Sequence, residues 1–250
     1  MPDTMPTTSL NPQYWLILIL GGYLCGSIPW GLLIARSKGV DIRKQGSGNI
    51  GATNVGRVLG RKLGLLCFFL DMLKGVVPVL IAGRVSGLMG QVTIPPEQAA
   101  WWLGAMIAPV LGHVLNPWLA FKGGKGVATS LGALLGVYPV LTIPGALAFC
   151  VWLAVAIRWR FVSLASLAAG ASLPFLVASY FAVRLRTAAG DWPPLDLYIR
   201  HAGLFVGLSI ALAGLVFITH RTNIKRLMAG TENRIGHSQK KARPAPADAR

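Results

Sequence analysis

The chain has 250 residues, 54% of them hydrophobic and only 13% charged, with a formal net charge of +16 at pH 7. Soluble domains carry about 25% charged residues, so this composition excludes an ordinary soluble domain and leaves room for one membrane domain and little else. So positive a chain could also meet nucleic acid, but the basic residues cluster between apolar stretches, which gives a basic membrane face instead; no nucleic-acid partner is expected.

Residues 1–13 read as a short N-terminal extension. Apolar stretches near the ~20 residues that cross a bilayer then follow at 14–35, 63–83, 100–121, 127–157, 161–183 and 198–219. No Lys or Arg precedes Arg36, so the basic start of a cleaved signal peptide is missing and the first stretch is expected to remain as a helix. The fourth stretch is too long for one simple span and contains Pro139 and Pro144. It splits into a short helix from 127 to about 137 and a longer one from about 140 to 157.

That split decides sidedness. With seven helices and the N-terminus outside, nineteen of the 24 Lys and Arg fall on the cytoplasmic side; Arg84, Arg184, Arg186 and Arg200 stay outside and Lys74 lies within a span. Six helices would spread the charge over both faces. The expected fold is therefore an all-α polytopic membrane protein of seven transmembrane helices, one short, with the N-terminus outside and the C-terminus cytoplasmic. Residues 14–235 form the single membrane-embedded domain, and 236–250 read as a disordered basic tail.

Asp71 and Lys74 stand three apart inside the second stretch. An unpaired charge at mid-bilayer costs about 3 kcal/mol, so the two are expected to pair over one helical turn as structural support. Cys25, Cys67 and Cys150 lack disulfide or metal-ligand spacing and read as reduced packing residues. No Cys/His metal cluster and no GxSxG occurs, so no metal or cofactor is expected.

Three polar stretches carry the chemistry. The first, Gln45-Gly46-Ser47-Gly48-Asn49-Ile50-Gly51-Ala52-Thr53-Asn54-Val55-Gly56-Arg57, contains a formal GxGxxG without the βαβ setting of a dinucleotide site. What remains is an anion loop: Gly46 and Gly48 supply backbone amides, Ser47, Asn49, Thr53 and Asn54 supply hydrogen-bonding side chains, and Arg57 supplies a phosphate fork. The second, Lys122-Gly123-Gly124-Lys125-Gly126, runs into an apolar helix, so amides and helix dipole together make a phosphate cradle. It is not a Walker A loop, because Gly126 follows Lys125. In the third, His220, Asn223 and Arg226 are three apart and share a helix face, flanked by Arg221, Lys225, Glu232 and Arg234. A solvated connector would explain one such loop, not three on one face. His113, after Gly112, reads equally as a helix-packing or a functional residue; His201 and His237 have no persuasive setting.

Taken together and in this order, the three stretches, with Gly112-His113 ahead of the second and Asp71-Met72-Leu73-Lys74-Gly75 between the first two, resemble the signature motifs of the bacterial acyl-phosphate:glycerol-3-phosphate acyltransferases (PlsY family). The resemblance implies seven helices in the cell inner membrane. It also implies transfer of a fatty acyl group from acyl phosphate to the 1-hydroxyl of sn-glycerol 3-phosphate, giving lysophosphatidic acid and inorganic phosphate, with no obligatory protein partner. By the same resemblance Ser47, Arg57, His220 and Asn223 matter for catalysis, the glycines of the second motif contact the acyl donor, and Glu232 is structural. No H-x-x-x-x-D pair exists: Trp118 stands five positions after His113 and Lys225 five after His220. That favours catalysis by positioning and charge stabilisation, with either a substrate phosphate or His220 taking the hydroxyl proton. A membrane transporter of a phosphorylated metabolite is the alternative; it should place polar residues near mid-bilayer on several helices.

Overall fold

The computed structural model describes residues 10–186 and 189–235. The basic tail expected at 236–250 lies outside them, as does His237. The described residues are helical, and six helical spans are long and apolar enough to cross a membrane: Pro12–Arg36, Arg61–Val85, Pro96–Leu119, Thr142–Trp159, Val162–Arg184 and Leu195–Thr219.

The first of these is not one helix. It divides into α1 (Pro12–Gly26) and α2 (Trp30–Arg36) because Pro29 has no N–H to continue the ladder and restricts the residue before it. Asn11 caps α1, accepting from Gln13 N at 3.0 Å with Pro12 at the first helical position, so the helix starts two residues before the hydropathy signal. A short helix α3 (Ala52–Leu59) follows the first polar loop. Gly60 then turns the chain into α4 (Arg61–Val85), and α5 (Pro96–Val114) ends before Asn116-Pro117.

The long fourth stretch is divided as expected, into α6 (Val127–Gly136) and α7 (Thr142–Trp159). At 10 residues α6 covers only ~15 Å, about half a bilayer core. Beyond it lie α8 (Val162–Arg184), α9 (Leu195–Thr219) and α10 (Arg221–Met228).

In lipid, apolar side chains gain little by leaving one hydrocarbon for another, so helices adhere through close backbone approach. Two seams show it. A Cβ on Gly132 of α6 would fall 2.0 Å from the Met72 carbonyl oxygen of α4, and one on Gly26 of α1 would fall 2.1 Å from that of Pro109 in α5. Around these seams sits a core of Val79, Trp102, Met106, Leu134, Phe181 and Phe205. A second cluster, Leu32, Ala35, Ile42, Ile50, Val55 and Cys67, lies beneath the first loop. Leu16, Ile17, Phe69 and Phe175 face outward as a lipid-contacting surface.

Contacts sort the helix ends into two sets. Near one end of the bundle Trp15 stacks on Trp101, and Gly90 N donates to the Tyr138 carbonyl. At the other, Asn116 Nδ2 donates to the Ser27 carbonyl, Ile235 N to that of Arg160, and Ser163 to Glu232. All three polar stretches gather at this second end.

Candidate active site

The first loop is laced by one side chain. Asn54, 1% exposed, donates Nδ2 to the carbonyls of Asn49 (2.9 Å), Gln45 (3.0 Å) and Ile42 (3.3 Å), and its Oδ1 accepts from Ser47 N at 2.8 Å. Asn49 Oδ1 takes the Gly51 amide. Gly46 has φ +58° and Gly48 φ +73°, conformations that L side chains rarely adopt. The Asn54 side chain therefore organises the loop rather than reaching for a ligand. Ser47, Thr53 and Arg57 turn toward a cavity; Gly46 and Gly48 do not line it.

The second loop is clamped to the end of α5. Gly123 N donates to the Val114 carbonyl at 3.0 Å and Gly124 N to that of His113 at 3.1 Å. A Cβ on Gly123 would fall 1.9 Å from the His113 carbonyl oxygen, and one on Gly124 2.1 Å from its Nε2. These amides are thus spent on the scaffold. For an anion the loop offers Lys125 and, after Gly126, the first-turn N–H groups of α6, which no i−4 carbonyl can reach. Lys122 is exposed and lies off the cavity, as does Arg221, which donates to the Ile218 carbonyl at 3.2 Å.

The third stretch is held by a carboxylate. Glu232 accepts from Arg226 Nε at 2.6 Å, Asn223 Nδ2 at 2.7 Å and Ser163 Oγ at 2.9 Å. Asn223 Oδ1 in turn accepts from Lys125 Nζ, joining the second motif to the third. The role of Ser163 is not visible in the sequence, since a serine in a helix carries no distinguishing signal. That of Arg226 is visible only through its three-residue spacing from Asn223.

Burial and neighbouring charge set the protonation states. Lys125 is brought down to about 8, first by burial and then by Arg226 and Arg57, with Glu232 opposing. Burial also lowers Arg57, and Arg226 adds to the effect while Glu232 opposes it. For Glu232 burial favours the neutral acid, but the three hydrogen bonds and Arg226 outweigh it and hold the carboxyl below its usual value. His220 falls to about 4 through burial and the Lys125 charge. Its Nδ1 lies 2.8 Å from the Val216 carbonyl oxygen. A carbonyl only accepts, so Nδ1 carries the proton and Nε2 is left as an acceptor.

These groups line one cavity of ≈ 780 Å³. Its polar end holds Ser47, Asn49, Arg57, Lys125, His220, Asn223 and Arg226. The remainder runs between α4, α6, α7, α8 and α9, past Phe68, Leu131, Leu134, Phe149, Leu173 and Leu212. Asp71 and His113 form part of the wall; Lys74 Nζ lies 2.9 Å from Asp71 Oδ1, the pairing that the three-residue spacing implies. Among the described residues no group of three or more His, Cys, Asp or Glu stands together as a metal site.

A polytopic membrane protein that joins a cationic pocket to an apolar one in a single cavity is built for an amphiphile with an anionic head. The family model described as glycerol-3-phosphate acyltransferase matches residues 16–230, and the chain belongs to that family. It is 46% identical over 218 residues to the glycerol-3-phosphate acyltransferase of Geotalea daltonii, covering 87% of this chain and 96% of that one. The corresponding protein of Aquifex aeolicus is 41% identical over 223 residues, 88% of this chain and 98% of that one. A crystal structure of PlsY (YgiH), an integral membrane glycerol 3-phosphate acyltransferase, in its glycerol 3-phosphate form superposes with a TM-score of 0.71 at 39% identity, covering 89% of this chain and 96% of that one. The lysophosphatidic acid form gives 0.69 at 38% identity, with the same coverage.

Proposed function

We propose that the protein transfers a fatty acyl group from acyl phosphate to the 1-hydroxyl of sn-glycerol 3-phosphate, at the cytoplasmic face of the bacterial inner membrane. The observation that carries this reading is the cavity itself, with Arg57, Lys125 and Arg226 at its polar end and an apolar slot behind them. The slot suits an acyl chain, and the cations suit the phosphates of both donor and acceptor. The glycerol 3-phosphate and lysophosphatidic acid forms of the related PlsY support the choice of acceptor and product.

In this mechanism Lys125 and the first-turn amides of α6 take the phosphoryl group of the donor, while Arg57 and Ser47 hold the phosphate of the acceptor. The glycerol hydroxyl oxygen attacks the acyl carbonyl carbon, the C–O bond to phosphate breaks, and the hydroxyl proton leaves on the departing phosphate. His220 is neutral in the empty site, so its Nε2 accepts a hydrogen bond and aims the hydroxyl, while the departing phosphate takes the proton. Catalysis then comes from placing two anions side by side and stabilising the charge that develops.

The seven-crossing topology belongs to the same proposal, with residues 14–235 as one domain, the N-terminus outside and the C-terminus cytoplasmic. The charge asymmetry supports it, and so does the gathering of the three motifs at one end of the bundle. A transporter would need polar groups along a path to the other end; apart from Asp71, His113, Ser130, Ser163 and Ser166, the lining behind the cations is apolar. The test is turnover: purified enzyme should form lysophosphatidic acid from acyl phosphate and glycerol 3-phosphate. Efficient turnover with acyl-CoA and none with acyl phosphate would overturn the donor assignment.

A further inference from the structure

Below the three loops lies a buried polar group that the mechanism above does not use. Asp71 and Lys74 are each 3% exposed, one turn apart on α4. Lys74 Nζ lies 2.9 Å from Asp71 Oδ1 and donates to the Ile28 carbonyl at 2.8 Å. Ile28 sits in the break between α1 and α2, where the chain has left the helical ladder. Just beyond it, Gly31 of α2 presses on the first loop: a Cβ there would fall 1.8 Å from the Ile50 carbonyl oxygen.

On its other side Asp71 meets the second loop through His113. His113 Nδ1 lies 3.8 Å from Asp71 Oδ1, its carbonyl accepts from Gly124 N, and its ring closes on the Gly124 backbone. Among the described residues neither Asp71 Oδ1 nor His113 Nδ1 has an aligned hydrogen-bond partner, and both residues line the cavity. The Lys74 contact is therefore an ion pair without hydrogen-bond alignment.

Simple adhesion between α4 and α6 does not need this arrangement. One residue after Lys74, Gly75 supplies adhesion by backbone approach, with the Thr129 carbonyl oxygen 2.2 Å from where a Cβ would stand. A charged pair in a dry interior is costly, but it is directional, and this one connects the attachments of two loops.

We propose that Asp71 and His113 are positioning residues for the acyl transfer. Through His113 the pair fixes Gly123 and Gly124 and hence the place of Lys125. Through Lys74 it fixes the break ahead of α2, whose Gly31 backs onto Ile50 in the loop between Ser47 and the α3 residue Arg57. The inference rests on the acyl-transfer reading of the site.

A double-mutant cycle on the full-length enzyme tests it, with His113→Ala, Lys125→Ala and the pair, assayed on acyl phosphate and glycerol 3-phosphate. His113→Ala should lower kcat/KM at least about tenfold, mostly through KM for acyl phosphate. On the Lys125→Ala background the same change should cost less than about threefold, because the residue it positions is gone. His113→Gln keeps a side-chain amide near Asp71 and should recover part of the loss, and melting temperatures separate folding from kinetics. Equal fold losses on both backgrounds would overturn the inference. If His113→Ala does not survive extraction, the same cycle with His113→Gln decides, equal losses again being fatal. A parent enzyme without turnover would overturn the acyl-transfer reading itself, and the inference with it.

Discussion

Asn223 donates its side-chain amide to Glu232 at 2.7 Å, and that contact fixes which end of the amide faces Lys125. With Nδ2 held by a carboxylate, Oδ1 must point the other way, onto the lysine ammonium. Glu232→Gln removes this instruction, because a neutral amide can accept or donate and no longer pairs Arg226. The expected result is a loss in kcat/KM of about tenfold or more, as one charge-assisted contact is worth roughly 1.5–3 kcal/mol. Asn223→Asp should be worse, since it sets two carboxylates together and captures Lys125 as a salt bridge. Steady-state kinetics on both variants, with wild-type behaviour as the refuting result, check this.

Arg57 on the short helix α3 and Lys125 in the second loop are half-buried and line the cavity rather than the apolar core, so removing their charge should damage kinetics far more than folding. Arg57→Ala or Lys125→Ala should each cut catalytic efficiency at least about tenfold while the melting temperature changes little. Arg57→Lys should recover only part, keeping the charge but losing the two-pronged fork. Near-normal kinetics in both alanine variants would mean that the loops are connectors.

Lys125 also sets a pH dependence. In the empty enzyme it titrates near 8, below its ordinary 10.5. Below pH 8 it is a cation and binds phosphate; as pH rises through 8 the charge is lost, so KM for the phosphate substrate should climb by up to about tenfold per unit. Stability should move the opposite way. Between pH 8 and 10.5 the unfolded chain holds a proton on this lysine that the folded one does not, so unfolding free energy gains with pH there. His220, held near 4 in the empty site, should produce no inflection in kcat/KM between pH 6 and 7. An inflection there, abolished by His220→Gln, would restore the histidine as general base.

Much of this was legible in the sequence because glycine and charge interrupt an otherwise apolar chain so sharply. Pro139 and Pro144 announced the division between α6 and α7, and the spacing of Asp71 and Lys74 announced their contact. What the sequence hides is where backbone polar groups go. Gly123 and Gly124 look like anion ligands, yet their amides bond to Val114 and His113, an acceptor choice decided by tertiary approach. Likewise Asn54 reads as a ligand and turns out to organise its own loop. Ser163 lies 69 residues from Glu232, and nothing local marks the pair.

Topology can be read with thiol chemistry. Gly124 is a poor reporter, because any side chain there strikes His113. Lys122 and Arg221 are exposed at the motif end, and Trp192 is exposed in the segment ahead of α9. In a variant with Cys25, Cys67 and Cys150 replaced, single cysteines at 122 and 221 should resist an impermeant reagent in spheroplasts with intact inner membranes, while one at 192 should react. Outside labelling at 122 or 221 would refute the proposed seven-crossing arrangement.

The pocket has an imbalance of its own. Arg57, Lys125 and Arg226 act on one another with Glu232 as the carboxylate among them, so with all three protonated this group of four carries a net charge of +2. A phosphate dianion supplies what is missing. Substrate is in that sense a structural counterion, and the protein should melt higher with glycerol 3-phosphate or inorganic phosphate bound than without. Product release then becomes an exchange of one dianion for another rather than an emptying.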